Sequence, residues 1–141
     1  MKKCITPVVL AVIRKGDTYL LSKRLEHDKG DSQLEFDGLW QLPGGGLEFG
    51  EAVEDCLHRE VREELNAKIK NVRMLPKLFH RVYKTYWHGL LISFTCELDS
   101  PESDIKLNHE ASEWGWFSYN ELQSINTFPL VKIIVEEVER K

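Results

Sequence analysis

The chain has 141 residues, a net charge of -4 and 42% apolar residues. This length fits a single domain over residues 1–141, with enough apolar residues for a core without cross-links. Acidic and basic residues are interspersed, so nucleic acid is disfavoured as the main partner. No segment reaches the ~20 apolar residues of a membrane span. Cys4, Cys56 and Cys96 lack metal or disulfide spacing, which predicts buried thiols and a cytoplasmic location.

The first half of the chain predicts a hairpin, an acidic loop and a glycine-rich turn before a helix. Lys2 and Lys3 before an apolar run faintly resemble a signal peptide, but Pro7 and the charged residues after the run favour a strand. The predicted elements are strands at 5–13 and 18–24, a polar loop at 25–38, an apolar step at 39–42 and a helix at 51–65.

The second half predicts two long strands, a second polar loop, a short strand and two helices. Pro129 suits the first position of the last helix. The predicted elements are strands at 67–80, 86–98 and 114–117, a loop at 99–112, and helices at 120–124 and 129–140. The mixture indicates an α/β (α+β) fold in which a mixed sheet lies between helices.

The helix at 51–65 combines two features that conflict. At about 100° per residue, Glu60, Glu63 and Glu64 lie on the same side as its apolar stripe. Like charges three or four residues apart repel, and facing them inward adds a desolvation cost. The pattern therefore predicts a cation among the carboxylates, and a hard divalent ion such as Mg²⁺, or alternatively Mn²⁺, suits oxygen ligands. Arg59 is placed to neutralise Glu63.

The turn before this helix fits the same chemistry. Gly44, Gly45 and Gly46 are consecutive, which permits positive φ values and close approach of a ligand to the backbone. A glycine-rich loop leading into a helix N-terminus is a favourable place for a phosphate. Glycine turns are common for purely structural reasons, so this observation gains weight only beside the acidic helix.

Residues 43–67, PGGGLEFGEAVEDCLHREVREELNA, closely resemble the signature of the Nudix hydrolases. The box itself covers residues 45–67, and only Asn66 and Ala67 depart from it, where the family has glycine and a larger aliphatic residue. Asn66 suits a left-handed helix end, and neither departure touches a charged role. The matching box positions are Gly45, Glu51, Arg59, Glu60, Val61, Glu63 and Glu64.

The resemblance implies a sandwich of a mixed sheet between helices and a metal-dependent pyrophosphohydrolase. It implies that Glu60, Glu63 and Glu64, with the Gly44 carbonyl, hold the metal and that Arg59 orients the carboxylates. A further acid from a distant loop is common in the family, and Glu110 is the first candidate, with Glu113 second. The general base is Glu64 or Glu110. Glu51 points away from the other carboxylates, which favours a structural role at the helix start.

The substrate is expected to be a small nucleotide, most simply a nucleoside triphosphate, with or without an oxidised base, that yields the monophosphate. A nucleotide sugar, ADP-ribose, a dinucleoside polyphosphate and a capped RNA end are the alternatives, as is a module that senses a nucleotide without cleaving it. The acidic loop at 25–38 would repel RNA at the rim of the site. A homodimer is compatible with the sequence. Residues proposed to contact substrate are Arg24, Gly45, Gly46, Trp40 and Tyr83.

Overall fold

The protein is described by a computed structural model that covers residues 2–27 and 35–140. The described residues form one eight-stranded mixed sheet with the central order β3-β2-β1-β7-β5. The short strand β4 pairs with β1, β6 pairs with β7, and β8 pairs with β2. The strands are β1 (Cys4–Lys15), β2 (Thr18–Arg24), β3 (Trp40–Gln41), β4 (Gly44–Gly46), β5 (Ile69–Met74), β6 (Phe79–Tyr83), β7 (Trp87–Leu98) and β8 (Ala111–Ser118).

The long apolar strand β1 organises the sheet. It pairs in parallel with β7, where Val9 lies opposite Ile92. It pairs antiparallel with β2, and the predicted hairpin turns at Gly16. It also pairs antiparallel with β4, where Val9 lies opposite Gly45, and this pairing fixes the three glycines against the centre of the sheet. Gly44 adopts φ +152°, and a side chain there would overlap the Val9 carbonyl, so only glycine fits.

Helices cover both faces of the sheet, as the sequence predicts. The helix α1 (Val53–Leu65) packs its buried side chains, such as Leu57 and Val61, against Val9, Phe94 and other residues of one face. The helix α3 (Val131–Glu139) packs Ile134 and its neighbours against the other face, and the short helix α2 (Tyr119–Leu122) lies beside it. The protein is therefore a three-layer sandwich, since each helix has one apolar stripe to bury.

Several predicted boundaries are wrong, for local reasons. The strand predicted at 67–80 is two strands, β5 and β6, because Pro76 lies between them and cannot donate a ladder hydrogen bond. Pro129 is not the first residue of α3. The helix starts at Val131, and Leu130, which separates Pro129 from it, takes a left-handed conformation. The last strand begins at Ala111 rather than 114, because Ala111 pairs with Arg24 of β2.

Two further expectations concern cysteines and membranes. Cys56 and Cys96 are buried, but Cys4 is exposed at the start of β1, so the prediction of three buried thiols is wrong for Cys4. Across residues 2–27 and 35–140, the structure contains no helix with the length and hydropathy needed to cross a membrane.

Candidate active site

The carboxylates of α1 lie in different environments. Glu64 is buried, with 7% of its surface exposed, and the Glu60 side chain is 13% exposed. The Glu63 side chain is 55% exposed, so the prediction that it shares the buried face is wrong. Successive helical residues lie about 100° apart, so Glu63 is turned away from Glu64, and it contacts Arg59 at the surface. The structure therefore brings two of the three predicted carboxylates together under the sheet.

The Glu64 carboxylate is held by a backbone hydrogen bond rather than by a positively charged side chain. Its Oε2 accepts a hydrogen bond from the backbone N–H of Gly44 at 3.2 Å. Burial raises the pKa of Glu64 well above its usual value, and the neighbouring Glu60 carboxyl and the charge of Glu110 raise it further. The N–H of Gly44 opposes this shift only weakly. Among the described residues, none forms a salt bridge with Glu64.

Gly45 explains how the chain comes so close to Glu60. A Cβ atom added at Gly45 would lie 2.5 Å from the Glu60 carboxylate, whereas one added at Gly46 would meet nothing nearer than the Thr6 methyl at 3.9 Å. Glycine at position 45 therefore leaves a space directly beside the carboxylate. The sequence predicted that this glycine allows close approach to the backbone, and the group that comes close is the Glu60 carboxylate of α1.

Arg59 ties the loop before α1 to the helix. Its guanidinium donates to Glu51 through Nε at 2.7 Å, to Glu60 at 2.9 Å and to Glu63 at 3.2 Å. It also donates to the Gly46 carbonyl at 3.1 Å. The bond from Arg59 is the main reason that the pKa of Glu51 is lowered to about 2. Glu51 precedes the helix and anchors Arg59, in line with the structural role that we expected for it.

These residues fit a hard divalent cation by the chemistry of their donors. A buried carboxylate with a raised pKa lies beside a second carboxylate, and Gly45 leaves open space next to them. Such a pair is costly to bury unless a positive ion lies between the oxygens. In the described part of the chain no three metal-binding side chains converge on one point, since Glu63 contacts Arg59 instead.

A cleft of about 420 Å³ opens beside the glycines. One end, which we call the glycine end, consists of Gly44, Gly45 and Gly46 and adjoins Glu60 and Glu64. A second group of lining side chains, which we call the aromatic end, is a connected cluster of Arg24, Glu26, Phe36, Gln41, Tyr83 and Phe128. Its rings contact one another, with the Phe36 and Phe128 centroids 4.7 Å apart.

The cleft contains some of the predicted substrate residues and not others. Arg24 and Tyr83 line it, together with the predicted glycines. Trp40 does not, because its ring packs on Phe117 at 4.8 Å in the core on the α3 side, so its assignment to the cleft is wrong. Gln41 and Phe128 line the cleft but were not predicted. The sequence position of Gln41, just before the glycine turn, could have indicated that it lines the cleft. No local sequence feature indicates this for Phe128.

The loop acids are only partly described. Glu110 is exposed at the end of its loop, its backbone carbonyl accepts from the N–H of Leu25 at 2.9 Å, and its charge acts on Glu64. Glu110 stays the first candidate for the predicted further acid. Of the acids predicted at the rim, Asp28 and Asp31 lie outside the described residues, and the carboxylate of Asp37 accepts from the N–H of Glu26.

A larger cavity, of about 590 Å³, lies away from these carboxylates, between β1, β7 and β8. Several of its charged groups pair with polar neighbours, and Arg14 lies over the Tyr19 ring. Lys15 contacts Glu102 at 2.6 Å, and Asn71 donates to Glu97 at 3.0 Å. Trp116 is half-buried, packs against the core and lines this cavity. We place the active site in the smaller cleft because its glycines adjoin the buried Glu64 and the half-buried Glu60.

Comparisons with known proteins identify the family of the chain. The family model described as NUDIX domain matches residues 5–136. Nucleoside triphosphatase NudI of Escherichia coli O17:K52:H18 (strain UMN026) is 33% identical over 122 residues, covering 82% of this chain and 83% of the relative. Nucleoside triphosphatase NudI of Enterobacter sp. (strain 638) is 34% identical over 133 residues, covering 87% and 86%.

Solved structures give the same architecture. The MutT NUDIX hydrolase of Burkholderia pseudomallei matches with a TM-score of 0.80 at 21% identity, over 96% of this chain and 99% of that chain. A NUDIX hydrolase of Nitrosomonas europaea matches with a TM-score of 0.79 at 26% identity, over 97% and 90%. The predicted fold, a mixed sheet between helices, is confirmed.

Proposed function

Because the chain belongs to the Nudix hydrolase family, we propose that it hydrolyses nucleoside triphosphates to nucleoside monophosphates and pyrophosphate. It is a pyrophosphohydrolase by family, so the proposal concerns the substrate and the residues. The observation that carries the proposal is the buried Glu60–Glu64 pair beside three glycines, at one end of a cleft whose other end is aromatic. The relatives named nucleoside triphosphatase support the same substrate class.

The family uses a divalent metal, and our proposal is Mg²⁺, with Mn²⁺ as a substitute. Glu60 and Glu64 would hold it, with the carbonyl of Gly44. Glu63 completes the proposed set, because its exposed side chain contacts the same guanidinium as Glu60. When bound, the metal would neutralise charge on the diphosphate oxygens and acidify a water molecule.

The remaining steps belong to the chain's own residues. Arg59 holds Glu60 and the Gly46 carbonyl in fixed positions, so that the carboxylates and the loop keep their spacing as substrate enters. Gly45 and Gly46 let phosphate groups approach the backbone closely. Glu64 or Glu110 accepts the proton of the attacking water, since the charge of Glu110 acts on the Glu64 carboxyl. Tyr83 and Arg24 contact the nucleoside at the aromatic end.

The test is a panel of substrates assayed side by side with Mg²⁺, and repeated with Mn²⁺. The panel contains nucleoside triphosphates, nucleotide sugars, ADP-ribose and 5′-triphosphorylated RNA, and the products are separated by chromatography. We expect the highest kcat/KM for free triphosphates, with monophosphate and pyrophosphate as products. A higher kcat/KM for nucleotide sugars, ADP-ribose or RNA, or release of inorganic phosphate from triphosphates, would overturn the proposal.

We also place the activity in the cytoplasm, where nucleotides are formed and used.

A further inference from the structure

One polar wall of the aromatic end is built by three side chains from neighbouring parts of the sheet. Arg24 ends β2, and Gln41 lies on the adjacent strand β3. The Arg24 guanidinium donates to the Gln41 amide oxygen at 3.2 Å and, through Nε, to Glu26 at 2.9 Å. It also lies over the Phe128 ring, 5.4 Å from its centre. The wall is therefore held in place by ring contact and by two hydrogen bonds.

The hydrogen bonds determine which groups the wall can offer to a ligand. A guanidinium has only N–H donors, so Gln41 must turn its oxygen toward Arg24, and no described residue accepts from its two N–H donors. Both oxygens of Glu26 already accept hydrogen bonds, one from Arg24 and one from the N–H of Phe36 at 3.1 Å. Arg24 keeps further N–H donors, since it has five. The wall thus offers free donors, whereas the Gln41 oxygen and each oxygen of Glu26 already accept one hydrogen bond.

The wall is at the right distance to meet a base. Gln41 is three residues before Gly44, so their Cα atoms are at most ~11 Å apart. A nucleotide whose phosphates lie at the glycine end would reach Gln41 with its base. The rings of Phe36 and Phe128 lie beside the wall and offer faces for stacking.

We propose that Gln41 and Arg24 select bases that present a carbonyl oxygen over bases that present an amino group at the same position. This inference rests on the proposed triphosphatase function. A carbonyl oxygen accepts from the free N–H donors of the wall, whereas an amino group brings a donor against donors and leaves both unpaired. Arg24 and Gln41 are half-buried, and such hydrogen-bonding groups discriminate on this basis, which a stacking surface alone does not.

The test uses pairs of substrates that differ only in this group. UTP and CTP differ at position 4 of the pyrimidine, and ITP and ATP differ at position 6 of the purine. We expect the wild-type enzyme to favour the carbonyl member of at least one pair by about tenfold in kcat/KM. Equal values within both pairs, while triphosphates are hydrolysed well, would overturn this inference alone. Absence of hydrolysis of every triphosphate would overturn the proposed function and the inference with it.

A variant distinguishes selection by Gln41 from selection by shape. Gln41→Glu keeps the size and the bond from Arg24 but replaces the N–H donors by an acceptor oxygen. We expect it to reverse the preference toward CTP and ATP, with an unchanged melting temperature. Gln123→Glu, the same change at an exposed position after α2, should leave the ratio as in wild type. A wild-type ratio in Gln41→Glu would show that Gln41 does not read the base.

Discussion

The two ends of the cleft are built in opposite ways. The glycine end comes from one continuous stretch, in which Gly44 binds Glu64 twenty positions later through a single turn and helix. The aromatic end collects side chains from Arg24 to Phe128, and its members meet only in the folded sheet. The chemistry of the site is therefore encoded locally, whereas the fit to a substrate is encoded across the chain. The predictions below test whether the two ends can be altered separately.

The largest effect is expected at the glycine end, from Glu64→Gln. Loss of this carboxylate should lower kcat by about 100-fold or more, because it removes a buried metal ligand or proton acceptor. The fold should survive, and the metal-free protein should melt at a higher temperature, since like charge beside Glu60 is reduced. Kinetics with Mg²⁺ and thermal melting in EDTA measure both.

The matched control for that change is Glu54→Gln, on the exposed side of the same helix. It should alter neither turnover nor melting. Wild-type turnover in Glu64→Gln would remove Glu64 from the proposed site and leave the glycine end without a chemical role.

A smaller effect is expected from Gly45→Ala. The added methyl would meet the Glu60 carboxylate at 2.5 Å, so the acid must move, which a flexible side chain does at little cost in stability. Loss of its position should lower kcat about 10- to 100-fold, as for other changes around a metal site. Gly46→Ala is the comparison within the same loop: its methyl has room and does not reach Glu60, so it should lower kcat less than Gly45→Ala does. Similar kinetics for the two variants would contradict the proposed contact between Gly45 and Glu60.

At the aromatic end, Phe128→Leu should raise KM and leave kcat nearly unchanged. The change keeps apolar bulk but removes a stacking face, which is worth roughly 1 kcal/mol, or about fivefold in KM. Trp40→Leu is the comparison, because Trp40 packs on Phe117 outside the cleft. It should lower the melting temperature without changing KM. A raised KM in Trp40→Leu would restore Trp40 to the substrate site and revise the boundary of the aromatic end.

The smallest effect is expected from Glu110→Gln. Its charge acts on Glu64 from an exposed loop, so removing it should lower kcat a few-fold, with less change in KM. Glu113→Gln tests the second candidate, whose carboxylate instead contacts Lys23 at 3.5 Å. If Glu110→Gln behaves as wild type, the proton acceptor is Glu64 alone, and the glycine end is complete within one stretch of sequence.

The glycine end could be predicted from the sequence better than the aromatic end. The spacing of residues 43–67 predicted the family, and helical periodicity predicted that Glu60 and Glu64 face the core. Asn66 ends α1 in the left-handed conformation that its departure from glycine suggested. These features depend on neighbours within a few residues, so the local pattern contains the information.

Tertiary structure decided what the pattern left open. Helical angles place Glu63 about 100° around the axis from Glu64, at the edge of the apolar stripe. In the structure Glu64 accepts from the N–H of Gly44, whereas Glu63 contacts Arg59 at the surface. Likewise, Trp40 and Gln41 are adjacent in sequence, yet one packs in the core and the other lines the cleft. The pairing of Gln41 with Arg24 across two strands determines which hydrogen-bonding groups remain free. Such outcomes depend on strand register and on partners distant in the chain, because packing forces act between surfaces that only folding brings together.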